Sequence, residues 1–201
     1  MTFPMALAFL VAAALPQGAQ EEDPPFPDEA FVRFRAGVWA ARGFDFEAIR
    51  PGGLRVRSGD EALASGGLDA GFSFLGSYVL FGTVEASGTD DVSAELAGVS
   101  LGYREFARPF DPPGVPDEVL VYAGGIWGRF EVDARGFGGF DDAFGFRAGI
   151  AFTWRPARSL AASVVAEYRL LEFDYEEPVV EGDREAGGSS AWVGVGLDLR
   201  F

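Results

Sequence analysis

The sequence predicts an all-β fold, a closed antiparallel up-and-down β-barrel, on three observations. In eight separate segments, apolar residues alternate with polar residues or glycine, which is the period of a β-strand with one apolar face. The composition includes 28 glycines and 20 phenylalanines, which suits strands joined by tight turns. After the N-terminal region, no stretch is long and apolar enough for a transmembrane helix. Strands must therefore provide any contact with a membrane.

The N-terminal region predicts that the chain is divided into three parts. An apolar run from Met5 to Leu15 precedes small residues ending at Ala19, so residues 1–19 are predicted to be a secretory signal peptide. A short membrane anchor is the alternative, but this run is too short to span a bilayer. Residues 20–29 form an acidic, Pro-rich flexible leader, and residues 30–201 form the barrel.

The eight predicted strands share an apolar face on which no charged residue lies. In the last of them, Val193, Val195, Leu197, Leu199 and Phe201 alternate with Gly194, Gly196, Asp198 and Arg200. The strands are predicted to run from Ala30 to Ala41, Leu68 to Leu75, Ser77 to Ser87, Glu95 to Arg104, Val119 to Asp133, Ala143 to Arg155, Leu160 to Leu171 and Trp192 to Phe201.

An apolar face free of charge on every strand is what a lipid environment requires. A Lys or Arg that faces the middle of a bilayer costs about 2–4 kcal/mol. A closed barrel is also the only sheet that leaves no backbone edge unpaired in lipid. The sequence therefore predicts a transmembrane barrel whose apolar faces point outward.

The opposite faces of the strands predict a charged, filled interior. An eight-stranded barrel is just wide enough for side chains to fill it, and glycines such as Gly37 and Gly149 leave room for large groups. Because an unpaired buried charge is costly, opposite charges in this lumen are expected to pair. The predicted lumen charges are Arg33, Arg35, Glu85, Arg104, Arg129, Glu131, Arg147, Glu167, Arg169 and Asp198.

In the strand from Val119 to Asp133, the lumen-facing side is assigned from the residues near its C-terminal end. Between Val119 and Asp133, the residues Trp127, Arg129 and Glu131 share one parity and are assigned to the lumen. The alternate positions are therefore assigned to the lipid-facing side, and these hold Leu120, Tyr122, Ile126, Phe130 and Val132.

Loop lengths predict which end of the barrel is which, and they leave the strand count at eight or ten. An even number of strands puts both chain ends on the inner side, where turns are short, as at Gly76-Ser77 and from Arg155 to Ser159. The Pro-rich connection from Ala107 to Asp117 is unusually long for an inner turn. A further hairpin around Pro51, between Phe44 and Arg57, would raise the count to ten.

Aromatic residues gather near the predicted inner ends of the strands, which is where an interfacial girdle belongs. This inner girdle is predicted to contain Phe74, Tyr78, Tyr103, Tyr122, Trp154 and Phe201. An outer ring would draw on Phe130, Phe144 and Tyr168.

The closing strand resembles the C-terminal assembly signal of bacterial outer-membrane proteins, through Val195, Leu197, Leu199 and Phe201. Residues 30–201 as a whole resemble the small eight-stranded outer-membrane barrels, the class of the transmembrane domain of outer-membrane protein A. The resemblance implies export to the bacterial outer membrane, contact with its lipid, and recognition of the last strand by the barrel-assembly machinery. It also implies a non-enzymatic role, as an anchor, an adhesin-like protein or a narrow conduit for small apolar molecules.

Composition limits the chemistry that this chain can perform. It has no histidine and no cysteine, which removes the commonest general base, the commonest metal ligand and any thiolate. We therefore predict no enzymatic activity, no cofactor and no metal. The net charge of −15 excludes nucleic acid as a partner, and the acidic outer loops are expected to meet a surface partner that the sequence does not identify.

The alternative is a secreted soluble barrel of the lipocalin type that carries a lipophilic ligand. Gly37-Val38-Trp39 matches the Gly-x-Trp pattern of that family. The two hypotheses differ in which face lies inside. In a membrane barrel Arg147 and Arg169 lie inside while Ile150 and Val195 face outward, and in a carrier these positions are exchanged.

Overall fold

The computed structural model describes residues 28–40, 47–49, 55–57, 62–89, 92–106, 114–132, 140–174 and 186–201. The predicted signal peptide (residues 1–19) and residues 20–27 of the leader lie outside the described residues. Within the described ranges, no helix has the length and hydropathy needed to cross a membrane.

The described strands form a barrel and one separate hairpin. A two-stranded antiparallel sheet pairs β2 (Glu47–Ile49) with β3 (Arg55–Arg57) and stands apart from the barrel. The barrel is closed and antiparallel, in the order β1-β10-β9-β8-β7-β6-β5-β4, with β4 paired to β1. Its strands are β1 (Ala30–Ala40), β4 (Ala62–Phe74), β5 (Tyr78–Gly88), β6 (Val92–Phe106), β7 (Glu118–Val132), β8 (Phe140–Ala157), β9 (Leu160–Asp174) and β10 (Ala186–Arg200).

The first and last strands close the barrel along almost the whole length of β1. The antiparallel register between β1 and β10 runs from Phe31 opposite Arg200 to Ala40 opposite Ala191. At the end of this seam, the Phe201 amide donates to the Ala30 carbonyl oxygen at 2.9 Å. We call the end at which Ala30 and Phe201 lie the inner end, and the opposite end the outer end. Each barrel strand is therefore paired on both sides.

The closed eight-stranded barrel predicted from the sequence is confirmed. The hairpin that could have raised the count to ten does form, as β2 and β3, but it does not enter the barrel. The second barrel strand is longer than predicted, since β4 begins at Ala62 rather than at Leu68. The adjacent glycines Gly66 and Gly67 interrupt the apolar pattern there without interrupting the pairing with β1.

Inward and outward faces alternate along every barrel strand, as predicted. On β10, for example, Val193 and Val195 are exposed while Trp192 and Asp198 are buried. On β8, Arg147 and Thr153 are buried inside the barrel, while Phe144 is exposed on its outer surface.

The predicted faces of β7 were wrong. Leu120, Tyr122 and Ile126 are buried in the lumen, whereas Trp127 and Arg129 are exposed on the outer surface. Arg129 lies near the outer end of its strand, past the apolar stretch of the outer surface. The parity of β7 is instead set by Glu118, a buried acid at its inner end.

A charged interior as the candidate functional site

The structure places most of the predicted lumen charges inside the barrel, on inward positions of six strands. The prediction was wrong for Arg129, which is exposed on the outer face. The side chain of Glu131 lies outside the described residues. The predicted charges found buried in the lumen are Arg33, Arg35, Glu85, Arg104, Arg147, Glu167, Arg169 and Asp198.

The centre of the lumen is a cluster in which two glutamates meet three arginines. Arg169, on β9, donates to both oxygens of Glu85 at 2.8 and 2.7 Å and to Glu167 at 2.6 Å. Arg35, on β1, lies 2.9 Å from Glu167 and 3.3 Å from Glu85. Arg147, on β8, approaches Glu167 to 3.7 Å. Glu167 thus contacts guanidinium groups from three different strands.

Neutral side chains add further hydrogen bonds to this cluster. The Tyr122 hydroxyl donates to Glu167 at 2.6 Å. Arg147 donates to the hydroxyl oxygens of Ser100 and Thr83 at 2.9 and 2.7 Å. Its guanidinium also lies over the rings of Phe81 and Tyr122, at 5.3 and 5.8 Å from their centroids. Such contacts stabilise a buried cation that has few carboxylate neighbours.

Below the central cluster, two aspartates bridge neighbouring strands. Asp198, on β10, accepts two hydrogen bonds of 2.7 Å from Arg33, in the bidentate arrangement that suits a guanidinium. Asp69, on β4, accepts from Thr83 at 2.6 Å and from Arg35 at 3.2 Å. Both aspartates are buried, so each balances the positive charge of an arginine that water cannot reach.

The inner mouth of the barrel holds a second cluster, which we call the mouth cluster. It consists of the arginines Arg104, Arg155 and Arg200 and the acids Glu29 and Glu118. Glu118 accepts from Arg155 at 2.7 Å and from Arg200 at 2.9 Å. Glu29 precedes β1 and accepts from all three arginines, at 3.0 to 3.4 Å.

Large rings fill the outer part of the lumen. Trp39 and Trp192 are opposite each other in the β1–β10 register and are fully buried. The Trp192 indole donates to the Ser65 hydroxyl at 2.9 Å, and the Arg35 guanidinium lies 4.2 Å from the centre of its ring. The indole crosses Gly37 and Gly194, where a Cβ atom would meet ring carbons at 2.6 Å or closer. Glycine at these positions therefore makes room for the tryptophan.

Burial shows that the described interior is packed rather than open. The side chains of Arg147, Arg169, Trp39 and Trp192 are 0% exposed, although all four point into the lumen. A water-filled passage beside these groups would expose them. Near the inner mouth lies a cavity of about 10 Å³, lined by residues that include Phe31, Arg33 and Leu120, which is room for about one water molecule.

Within the described part of the chain, the charges of the interior are directed at one another, and no reactive group is presented to a ligand. Each central carboxylate is covered by guanidinium groups and is almost fully buried. Among the described residues, no group of three or more Asp or Glu side chains is arranged to hold a metal ion. The arrangement can therefore hold strands together, and we find no geometry in it for a bond-making step.

Sequence reasoning missed five participants in these clusters, for different reasons. Asp69 and Arg155 lie on the polar faces of their predicted strands, and this position already indicates that both point inward. They are nevertheless absent from the predicted lumen charges. Tyr122 and Glu118 were missed because the face of β7 was assigned from its outer end. Glu29 lies before the first strand, and its sequence context gives no signal for a contact with three distant arginines.

The outer surface of the barrel is apolar on all of its strands. Large exposed apolar residues on each strand include Phe34, Phe72, Val84, Val99, Val121, Phe144, Val164 and Val195. Outward-facing charges among the described strand residues lie only toward the strand ends, at Glu95, Glu105, Arg129, Asp142 and Glu172. Between these ends the surface is an uninterrupted apolar band.

The predicted inner girdle lies at the lower edge of this band, except for Tyr122. Phe74, Tyr78 and Tyr103 contact one another on adjacent strands, with ring centroids 5.7 and 5.8 Å apart. The Trp154 indole donates to the Gly114 carbonyl at 3.2 Å, and Phe201 is exposed. Of the predicted outer ring, Phe144 and Tyr168 are exposed, and the Phe130 side chain lies outside the described residues.

Comparison with known proteins finds similar barrels among solved structures. No protein-family model and no curated protein matches the chain. The crystal structure of Neisserial surface protein A aligns with a TM-score of 0.48 at 14% identity, covering 87% of this chain and 96% of that one. The attachment invasion locus protein of Yersinia pestis also gives 0.48, at 11% identity over 88% and 100% of the two chains. Outer membrane protein OprG from Pseudomonas aeruginosa gives 0.44, at 14% identity over 86% and 96%.

Proposed function

We propose that this chain is a non-enzymatic barrel of the bacterial outer membrane, with a sealed interior and a structural or surface-interaction role. The single observation that supports it best is the apolar band on the outer surface. On β9 the outward residues from Leu160 to Leu170 are all apolar, and Glu172 is the first charge beyond them. At a rise of about 3.4 Å per residue and a tilt of about 40°, this stretch is about 25 Å tall. That height matches the apolar band of outer-membrane barrels.

The interior supports an anchor over a conduit or a lipid carrier. A carrier of the lipocalin type needs an apolar cavity inside the barrel, but here the inside contains buried arginines and carboxylates in contact. A conduit needs a continuous path, but the lumen is filled at the level of Arg147 and again at the level of Trp192. Trp39, which had suggested a lipocalin, is one of the residues that fill it.

The outer end is the place where we expect partners to bind. One of the segments that join the strands at this end is strongly acidic. In residues 175–185, Glu176, Glu177, Glu181, Asp183 and Glu185 accompany a single Arg184. Charge complementarity favours a cationic partner at this surface and would make its association sensitive to salt.

We also propose that β10 is recognised by the barrel-assembly machinery. Its outward residues Val195, Leu197, Leu199 and Phe201 form one exposed apolar row in the finished barrel. None of them contributes to the lumen, so this row is free to serve recognition without affecting the packing inside.

A matched pair of substitutions on β10 tests the membrane location. Val195 lies six residues from Phe201, so it sits about 15 Å above the inner girdle and near the middle of the band. In phospholipid bilayers, Val195→Arg should lower the free energy of unfolding by about 2–4 kcal/mol. Ser189→Arg, on the same face but near the outer end, should cost no more than about 1 kcal/mol.

The readout is equilibrium unfolding in lipid vesicles, followed by the heat-dependent gel mobility of the folded barrel. Membrane fractionation of expressing cells supplies the independent check, since the folded protein should sediment with outer membrane. A soluble barrel would tolerate both arginines equally, show no mobility shift and remain in the periplasmic fraction, and that result would overturn the proposal.

A further inference from the structure

The segment just before β1 closes the inner mouth of the barrel with its own side chains. The Glu29 amide donates to the Ser73 hydroxyl at 2.9 Å, and the Ser73 amide donates to the Glu29 carbonyl at 2.8 Å. The Asp28 carboxylate accepts from the Gly76 amide in the β4–β5 turn at 3.1 Å. We call residues Asp28 and Glu29 the strap.

The strap places one carboxylate among three arginines from non-adjacent strands. Arg104 is on β6, Arg155 on β8 and Arg200 on β10, and each donates to Glu29. The mouth cluster has three arginines and two acids, so its arginines outnumber its acids even with Glu29 in place. Without Glu29, only Glu118 and Asp198, which lies 3.4 Å from Arg200, would remain to balance them. A compact set of guanidinium groups facing one point is the arrangement that binds a carboxylate or a similar anion.

Two further features support a ligand site at this place. The small cavity at the inner mouth is lined by Glu29, Arg104, Glu118 and Arg200, so it adjoins the Glu29 carboxylate. The Arg200 side chain is 5% exposed, and its Nε has no hydrogen-bond partner among the described residues. One donor beside the cavity is therefore left for an additional acceptor.

We infer that the mouth cluster is an anion-binding site that the chain occupies with its own Glu29, and that release of the strap opens this site to a small carboxylate. The strap is thus an internal ligand and a lid at once. The site lies at the inner end, and the inference does not depend on the membrane location proposed above.

Chemical rescue tests this inference on the full barrel in detergent micelles, which makes the test independent of the membrane location. Glu29→Ala removes the carboxylate and enlarges the cavity, so the variant should be less stable than the parent chain. Sodium acetate should restore its stability in a saturable way, while sodium chloride at equal ionic strength should not. With a dissociation constant of about 10 mM, 100 mM acetate would raise the folding equilibrium constant roughly tenfold.

Glu105→Ala is the matched control, because Glu105 is an exposed acid at the same end of the barrel. Neither the parent chain nor this control should respond to acetate more than to chloride. If Glu29→Ala does not fold without added anion, refolding yield in acetate against chloride becomes the readout. The inference fails if Glu29→Ala is as stable as the parent chain, or if acetate acts equally on all three proteins as an adventitious ion only.

Discussion

Glu167 is the residue on which the central cluster depends most, and its loss gives the sharpest test of a charge-paired lumen. Its carboxylate lies 2.6 Å from Arg169, 2.9 Å from Arg35 and 3.7 Å from Arg147, and it accepts from Tyr122 at 2.6 Å. Glu167→Gln keeps the size of the side chain but removes the charge. It also turns an amide donor toward guanidinium groups, which can only donate.

The expected loss of stability depends on which charges remain after the substitution. After the substitution, Arg35 and Arg169 still contact Glu85 at 3.3 and 2.7 Å. Among the described residues, Glu167 is the one carboxylate within 4 Å of Arg147, so this cation is left without a counter-charge. Removing one partner of a buried ion pair costs about 3–5 kcal/mol. We expect a loss of that size in the free energy of unfolding.

The assay is denaturant unfolding of the refolded barrel, with gel mobility and tryptophan fluorescence as two probes of the same transition. Glu172→Gln, an exposed acid on the same strand, is the control and should change stability by less than about 0.5 kcal/mol. Adding Arg147→Met to Glu167→Gln removes the stranded cation, so the double variant should regain part of the loss. A loss below 1 kcal/mol for Glu167→Gln, or an equal loss for Glu172→Gln, would refute the charge-paired lumen.

Three further outcomes are expected. Gly149→Ala should lower the free energy of unfolding by about 1–3 kcal/mol, because its Cβ would lie 2.5 Å from the Tyr122 ring that Glu167 holds in place. Gly125→Ala, whose Cβ would have nothing within 4 Å, should be neutral. Equal effects of the two substitutions would contradict this packing. In planar bilayers the parent chain should show no stepwise conductance, since side chains fill the lumen; regular single-channel steps would show that it opens. Phe201→Ala should lower the amount of assembled barrel in cells while leaving refolding in detergent unchanged; an equal loss in both would assign Phe201 to stability instead.

The architecture of the barrel could be read from the chain because it depends on local periodicity. Alternation on β10, with Val195 outward and Asp198 inward, needs only the two-residue repeat of a strand and the cost of a charge in lipid. The same repeat predicted the inward parity of Arg33, Arg35 and Arg147. It failed on β7 because Arg129 lies beyond the apolar band, where the rule that charges point inward no longer applies.

By itself, the sequence predicted a closed antiparallel barrel of eight or ten strands, its apolar exterior and the presence of charges inside. Only the tertiary structure decided which of those charges meet. Glu167 contacts Arg35 although β10 lies between their strands, and Glu29 contacts Arg104, Arg155 and Arg200. The stagger of the strands brings these inward positions to one level. Periodicity fixes the side of a strand on which a residue lies, but its height in the barrel depends on the register of every strand between it and its partner.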